Sequence, residues 1–70
     1  MIVDVRHLNG QGLYEKVRSI LEKGGRGVRR VYVYINTLEN PRKVKAFLEM
    51  SGFSARIFSR GKDGYLVRTI

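Results

Sequence analysis

The sequence predicts an α/β (α+β) domain of residues 1–70, in which two helices cover one face of a four-stranded mixed sheet. Three observations lead to this fold class. Apolar and polar residues alternate in several short segments, apolar residues recur at helical spacing in two others, and glycine-containing turns separate them. The order is strand, helix, strand, helix, strand, strand, for which we expect a two-layer sandwich.

The first strand and the first helix are separated by a polar turn. Residues 1–5 (MIVDV) alternate with a period of two, which is typical of a short strand. After the turn Asn9–Gly12 the spacing of apolar residues becomes helical. The residues on that helical face are Leu13, Val17, Ile20 and Leu21. We therefore predict a helix from Gly12 to Lys23, ended by the glycines at 24 and 25.

The second strand and the second helix follow the same scheme. Residues 29–35 (RRVYVYI) place valines and isoleucine on one face and arginine and tyrosines on the other. Asn40 followed by Pro41 is typical of an N-cap and first helical turn, because proline lacks the N–H that would have no partner there. The helix is expected to stop at Gly52.

The remaining residues predict a β-hairpin. Its strands are Phe53–Ser59 and Tyr65–Ile70, and its turn is Arg60–Gly64. Right-handed crossovers would place both helices on the same face of the sheet, with each crossover joining parallel neighbouring strands. The other face of the sheet is then left open. The segment 24–27 (GGRG) is interpreted as a linker turn. It follows a helix rather than a strand, and it lacks the Lys-Ser/Thr pair that ends a phosphate-binding P-loop.

Composition limits the classes of function. A chain of 70 residues, 43% of them hydrophobic, has little room for a deep active-site cavity. Its 14 Lys and Arg against 6 Asp and Glu give a net charge of +8, which favours acidic partners. The absence of Cys excludes disulfides and thiolate metal sites. The longest apolar run, residues 31–35, is too short to cross a bilayer, and no targeting peptide is recognisable, so we expect a cytoplasmic protein without membrane partners.

The open sheet face is the leading candidate site. Strand alternation directs basic and aromatic side chains to it together, and such a surface can stack bases and neutralise phosphates. The candidate nucleic-acid-binding residues are Arg30, Tyr32, Tyr34, Arg56, Phe58, Arg60 and Arg68. Two other interpretations stay open: the tyrosines cover their own sheet, or the face pairs with a second copy of the chain.

The turn before the first helix is a second candidate, for an anion. Backbone N–H groups at a helix N-terminus, together with nearby cations, attract negative charge. The candidate anion-binding residues are Arg6, His7, Gly10, Gln11 and Gly12. The alternative is that Asn9 or Gln11 caps the helix and the glycines only form the turn.

No catalytic constellation is recognisable. His7 is the single histidine, the carboxylates are scattered along the chain, and no base accompanies the serines. We therefore predict that the chain is not an enzyme and holds no metal or cofactor.

The segment from Asp4 to Leu13 (DVRHLNGQGL) and the later GYLVR at 64–68 resemble the TusA/SirA family of small sulfur-carrier proteins. That family has Asp-x-Arg-Gly-Leu-x-Cys-Pro-x-Pro in the first of these segments. Its persulfide-bearing Cys corresponds to Gly10, and its prolines to Gln11 and Leu13. The resemblance therefore implies the fold but not the transfer of sulfur. The element order is also similar to that of the Alba chromatin proteins and of the C-terminal domain of the third bacterial initiation factor, which bind nucleic acid.

These observations favour a non-catalytic TusA-like domain that binds nucleic acid, RNA in particular, or another acidic partner. Two alternatives remain. The chain could be a Cys-less adaptor of a sulfur relay that docks a protein through Asp4–Leu13, or a structural domain that forms homo-oligomers, such as a homodimer, through the open face.

Overall fold

The computed structural model describes residues 1–24 and 30–70. These residues form two α-helices and a four-stranded mixed sheet, in the predicted order, which confirms the α+β fold class. The strands are β1 (Ile2–Asp4), β2 (Tyr32–Ile35), β3 (Ala55–Ser59) and β4 (Tyr65–Thr69), and the helices are α1 (Gln11–Gly24) and α2 (Pro41–Met50). A short 3-10 helix, Gly61–Asp63, lies in the predicted hairpin turn.

The predicted bounds differ from the observed ones at several element ends. Helix α1 begins one residue before the predicted start, and β3 begins two residues after its predicted start. Residues 25–29 lie outside the described residues. The linker turn predicted at 24–27 and the predicted start of the second strand at Arg29 fall in this interval, apart from Gly24.

The strand order in the sheet is β1-β2-β4-β3. Strands β1 and β2 are parallel, whereas β4 is antiparallel to both β2 and β3. The expectation that each crossover joins parallel neighbours is therefore correct for β1 and β2 but wrong for β2 and β3. The cause is β4, which turns back from β3 and lies between the two, so that both of its edges are hydrogen-bonded.

One face of the sheet and both helices share a single hydrophobic core. Val3 pairs with Val33, and Val33 pairs with Val67, so these valines lie on the same face. The core cluster consists of Val3, Val5, Leu13, Val17, Val31, Val33, Ile35, Val44, Leu48, Ala55 and Val67. Because the cluster includes the buried residues of α1 and α2, we call this side of the sheet the covered face. β-branched side chains suit such a half-buried pleated surface.

The beginning of α2 confirms the predicted cap. Asn40 has an extended backbone, and its side-chain Oδ1 accepts a hydrogen bond from the Arg42 N–H at 2.9 Å. Pro41 occupies the first turn, where its missing N–H has no consequence. The chain leaves the helix through Gly52, whose φ of 96° lies in the left-handed region. The helix is thus fixed at both ends by local sequence.

The hairpin lies close to β2 at Gly64. This residue is buried and has a φ of 100°, and a Cβ atom there would overlap the Ile35 carbonyl oxygen. A glycine is therefore required for β4 to start beside the end of β2.

Neither helix of the described residues is long and apolar enough to span a membrane.

Candidate nucleic-acid interface

The side of the sheet opposite the covered face carries two rows of side chains, and we call it the open face. The first row runs across all four strands as Ile2, Tyr32, Arg68 and Arg56. The second row runs as Asp4, Tyr34, Leu66 and Phe58. Each of these residues alternates along its strand with residues of the covered face. Burial of the core residues therefore also determines which side chains lie on the open face.

Arg68 lies between two aromatic rings at the centre of the open face. Its Cζ is 5.7 Å from the centroid of Tyr32, its register partner on β2, and 5.7 Å from the centroid of Phe58 on β3. A guanidinium at this distance from a ring face is attracted by the ring's quadrupole. Its Nε is buried and has no hydrogen-bond partner among the described residues. Arg68 is therefore held mainly by the two rings.

Arg60 lies over a third ring. Its Cζ is 4.9 Å from the centroid of Tyr34, while the residue as a whole is exposed. The Arg60 N–H donates to the Gly64 carbonyl at 2.8 Å, and the Arg60 carbonyl accepts from the Asp63 N–H at 3.2 Å. These bonds fix the backbone at the end of β3, from which the side chain reaches Tyr34.

Arg56 adds a second arginine beside Arg68. The two residues are direct register partners on β3 and β4. Like charges opposite each other on one sheet face are unfavourable, unless an anion lies between or beside them. The pair therefore concentrates positive charge at one side of the open face.

The structure brings six of the seven predicted nucleic-acid-binding residues together on or above the open face. Tyr32 and Tyr34 are half-buried there, away from the helices. Arg30 precedes buried Val31 and lies two residues before the start of β2. Its carbonyl accepts a hydrogen bond from the N-terminal ammonium of Met1 at 3.0 Å, and no ring contact anchors its side chain among the described residues.

The open face also contains a carboxylate that the sequence analysis did not assign to it. Asp4 is the register partner of Tyr34. It forms a bidentate ion pair with Arg6, whose Nε donates to Oδ1 at 2.9 Å and whose Nη2 donates to Oδ2 at 2.7 Å. The hydrogen bonds from the Arg6 side chain and backbone lower the pKa of Asp4 to about 2. The spacing of two residues in an extended segment could have indicated this pair.

Three of the five predicted anion-binding residues have partners within the chain. Arg6 is paired with Asp4, and the Gly10 N–H donates to Glu39 Oε1 at 2.6 Å. The Gln11 side chain donates to Glu15 at 3.0 Å, while His7 and Gly12 are exposed. A carboxylate of this chain thus lies where the sequence suggested an added anion. The anion site stays a prediction, and any anion would compete with Glu39.

Two residues near this turn were missed because their contacts are distant in sequence. Burial raises the pKa of Tyr14, and the negative charge of Glu39 raises it further. Asn36 donates to the carbonyls of Arg6 and Leu8 at 3.0 and 3.3 Å and to Asn9 Oδ1 at 2.8 Å. It therefore ties the turn before α1 to the end of β2, and no local pattern could have revealed that role.

The geometry offers no metal centre in the part of the chain that the structure describes. No three side chains among its His, Asp and Glu residues are grouped closely enough to hold a metal ion. Comparisons of the chain with protein-family models, with curated proteins and with solved structures returned no match.

Proposed function

We propose that this chain is a non-catalytic binding domain that holds single-stranded nucleic acid, RNA in particular, on its open face. The observation that carries the proposal is the grouping of three rings and three guanidinium groups on one face of three neighbouring strands. The groups are Tyr32, Tyr34, Phe58, Arg56, Arg60 and Arg68. Aromatic faces stack on unpaired bases, and arginine both neutralises phosphate and stacks on bases.

The spacing of the tyrosines favours a single strand over a duplex. Tyr32 and Tyr34 are two residues apart on β2, which separates their Cα atoms by about 6.6 Å. Successive bases in a duplex are about 3.4 Å apart and are covered by their neighbours. An extended single strand can place successive bases at the wider spacing, so that each base meets its own platform.

The charge distribution supports a polyanion as the partner. The chain has a net charge of +8, and Arg56 and Arg68 lie opposite each other on the open face. A phosphate beside this pair would relieve the repulsion between the two guanidinium groups, and the net charge would accelerate the encounter.

Fluorescence anisotropy with labelled oligonucleotides tests the proposal. We expect single-stranded RNA and DNA to bind more tightly than an RNA duplex of the same length. The logarithm of the binding constant should fall with the logarithm of salt concentration by about 0.7 per neutralised phosphate. The absence of binding to every oligonucleotide at low salt would rule the proposal out.

Matched variants distinguish binding through the rings of the open face from general electrostatic attraction. The double substitution Tyr32→Ala and Tyr34→Ala should weaken single-strand binding at least tenfold, since stacking contributes about 1–3 kcal/mol per base. Tyr32→Phe with Tyr34→Phe keeps both rings and should retain most of the affinity. Circular dichroism should show the same fold for both variants.

A second pair of variants has equal net charge. Arg56→Ala with Arg60→Ala should weaken binding more than Arg18→Ala with Arg42→Ala, whose arginines are exposed on the helices. Equal losses for the two pairs would indicate a diffuse electrostatic attraction and would contradict the assignment of the face. Sedimentation of the free chain reports whether the open face instead joins two copies.

A further inference from the structure

Arg60 and Arg68 contact rings in different ways. The Cζ of Arg68 is 5.7 Å from the ring centroids of both Tyr32 and Phe58, and its Nε is buried. Arg60 contacts the ring of Tyr34 and is otherwise exposed. One arginine is therefore enclosed by its own sheet, and the other has a side available to a ligand.

The position of Arg60 changes what Tyr34 can offer. With the guanidinium 4.9 Å from the ring centroid, this ring face is already covered in the free chain. A base can reach Tyr34 there only by displacing Arg60, or it can stack on the guanidinium itself. A guanidinium is planar and delocalised, and bases stack on it as they do on aromatic rings.

We propose, building on the function proposed above, that Arg60 is a base-stacking residue rather than a phosphate contact. Its guanidinium stays on Tyr34 and receives an unpaired base on its outer side, giving a stack of ring, guanidinium and base. Arg56 contacts the phosphate backbone. Arg68 is a positioning residue that holds the rings of Tyr32 and Phe58 in place.

Two features favour this division between the arginines. The Arg60 backbone is hydrogen-bonded on both sides, to Gly64 and to Asp63, so its side chain starts from a fixed point above Tyr34. Among the described residues no ring contact is present at Arg56, whose register partner is Arg68. Its position on edge strand β3 adds charge at the side of the face. A guanidinium group that is not stacked on a ring is suited to an electrostatic contact with a phosphate.

The test compares a single-stranded DNA oligonucleotide with the same oligonucleotide carrying abasic sites, which keeps every phosphate and removes bases. The wild-type chain should bind the abasic form more than tenfold more weakly, because stacking at Tyr32 and at Arg60 is lost together. Arg60→Lys keeps the positive charge but replaces the planar guanidinium group with an ammonium group, on which a base cannot stack. It should bind the intact oligonucleotide about tenfold more weakly than wild type, bind the abasic form equally well, and keep the salt dependence.

Two matched variants complete the experiment. Arg56→Lys should retain the contrast between intact and abasic oligonucleotides, and Arg56→Ala should reduce the salt dependence by about 0.7 in slope, for one lost phosphate contact. Tyr34→Phe keeps the ring beneath Arg60 and should behave as wild type. Because Arg60 is exposed, Arg60→Lys should keep the wild-type circular dichroism spectrum and unfolding midpoint.

The outcomes distinguish this inference from the function on which it rests. If the wild-type chain binds neither oligonucleotide, both are overturned. If it binds and discriminates against abasic sites, and Arg60→Lys discriminates as strongly as the wild type, only the role of Arg60 is overturned, and the base stacks on Tyr34 directly. A salt slope that falls by about 0.7 in Arg60→Ala would overturn it as well, because it would identify Arg60 as a phosphate contact.

Discussion

The covered and open faces are built from the same strands, yet different interactions hold them together. On β2, Val33 and Ile35 are fully buried beneath the helices, whereas Tyr32 and Tyr34 are half-buried among arginines. Full burial of an aliphatic side chain contributes about 1.5–3 kcal/mol, and a cation–π contact at an exposed site about 0.5–1 kcal/mol.

This difference indicates where stability and function are separable. Substitutions on the covered face should change the free energy of unfolding, while substitutions on the open face should mainly change binding. The separation suits a small domain, because a core of this size leaves little stability to spare.

The largest expected effect comes from the helix layer over the covered face. Leu48→Ala should lower the free energy of unfolding by about 2–5 kcal/mol, because the side chain is fully buried and leaves a cavity. Leu38→Ala is the matched control, since Leu38 is 84% exposed and should shift stability by less than about 0.5 kcal/mol. Urea denaturation followed by circular dichroism measures both, and similar shifts would contradict the assigned core.

A smaller effect is expected from the buried hydroxyl on the covered face. Thr69 Oγ1 accepts a hydrogen bond from the Val31 N–H at 2.8 Å, and both residues are fully buried. Thr69→Val has nearly the same shape but leaves that N–H without its acceptor, so we expect a loss of about 1–3 kcal/mol. Thr69→Ser keeps the acceptor. If urea denaturation shows that Thr69→Val is more stable than Thr69→Ser, the hydrogen bond is not the dominant contribution of Thr69 to the free energy of unfolding.

The smallest effect is expected at Asp4 on the open face. Its pKa is lowered from 3.8 to about 2 in the folded chain, mainly by hydrogen bonds from Arg6. A lowered pKa means that the ionised carboxylate stabilises the fold above about pH 4 and that this contribution is lost as the pH falls toward 2. Because the pair is exposed to solvent, we expect at most about 1 kcal/mol.

The measurement is the urea midpoint of wild type and Asp4→Asn at pH 7, 4 and 2. The two chains should differ at pH 7 and converge at pH 2. Arg6→Met should remove the same contribution, and the double variant should lose no more than either single one. A constant difference across the pH range would show that the carboxylate charge is not responsible.

The parts of the fold that the sequence predicted depend on local patterns. The Asn40–Pro41 cap and the period of the strands are encoded within a few residues, and both are observed. The position of β4 between β2 and β3 is not encoded in any local pattern. It depends on backbone hydrogen bonds between strands that are distant in sequence. Alternation therefore predicted each strand, and the hairpin of β3 with β4 is confirmed, whereas the expectation that β3 lies directly beside β2 is wrong.

The same distinction applies to the candidate sites. Alternation predicted that Tyr32, Tyr34 and Arg68 would share the open face, and the strand register bears this out. The stacking of Arg60 on Tyr34 and the contact of Glu39 with Gly10 could not be predicted, since each joins residues more than twenty positions apart. Asp4 with Arg6 is the exception, being local and still missed.

The strand order also constrains how the fold assembles. β4 is the last of the four strands in the chain, but it occupies an interior position in the sheet. Until residues 65–69 are available, β2 and β3 have no partner on the sides where β4 will lie, and only β1 and β2 can pair. During synthesis, the sheet can close only when the final strand inserts, so its completion depends on contacts that are remote in sequence and slow to form.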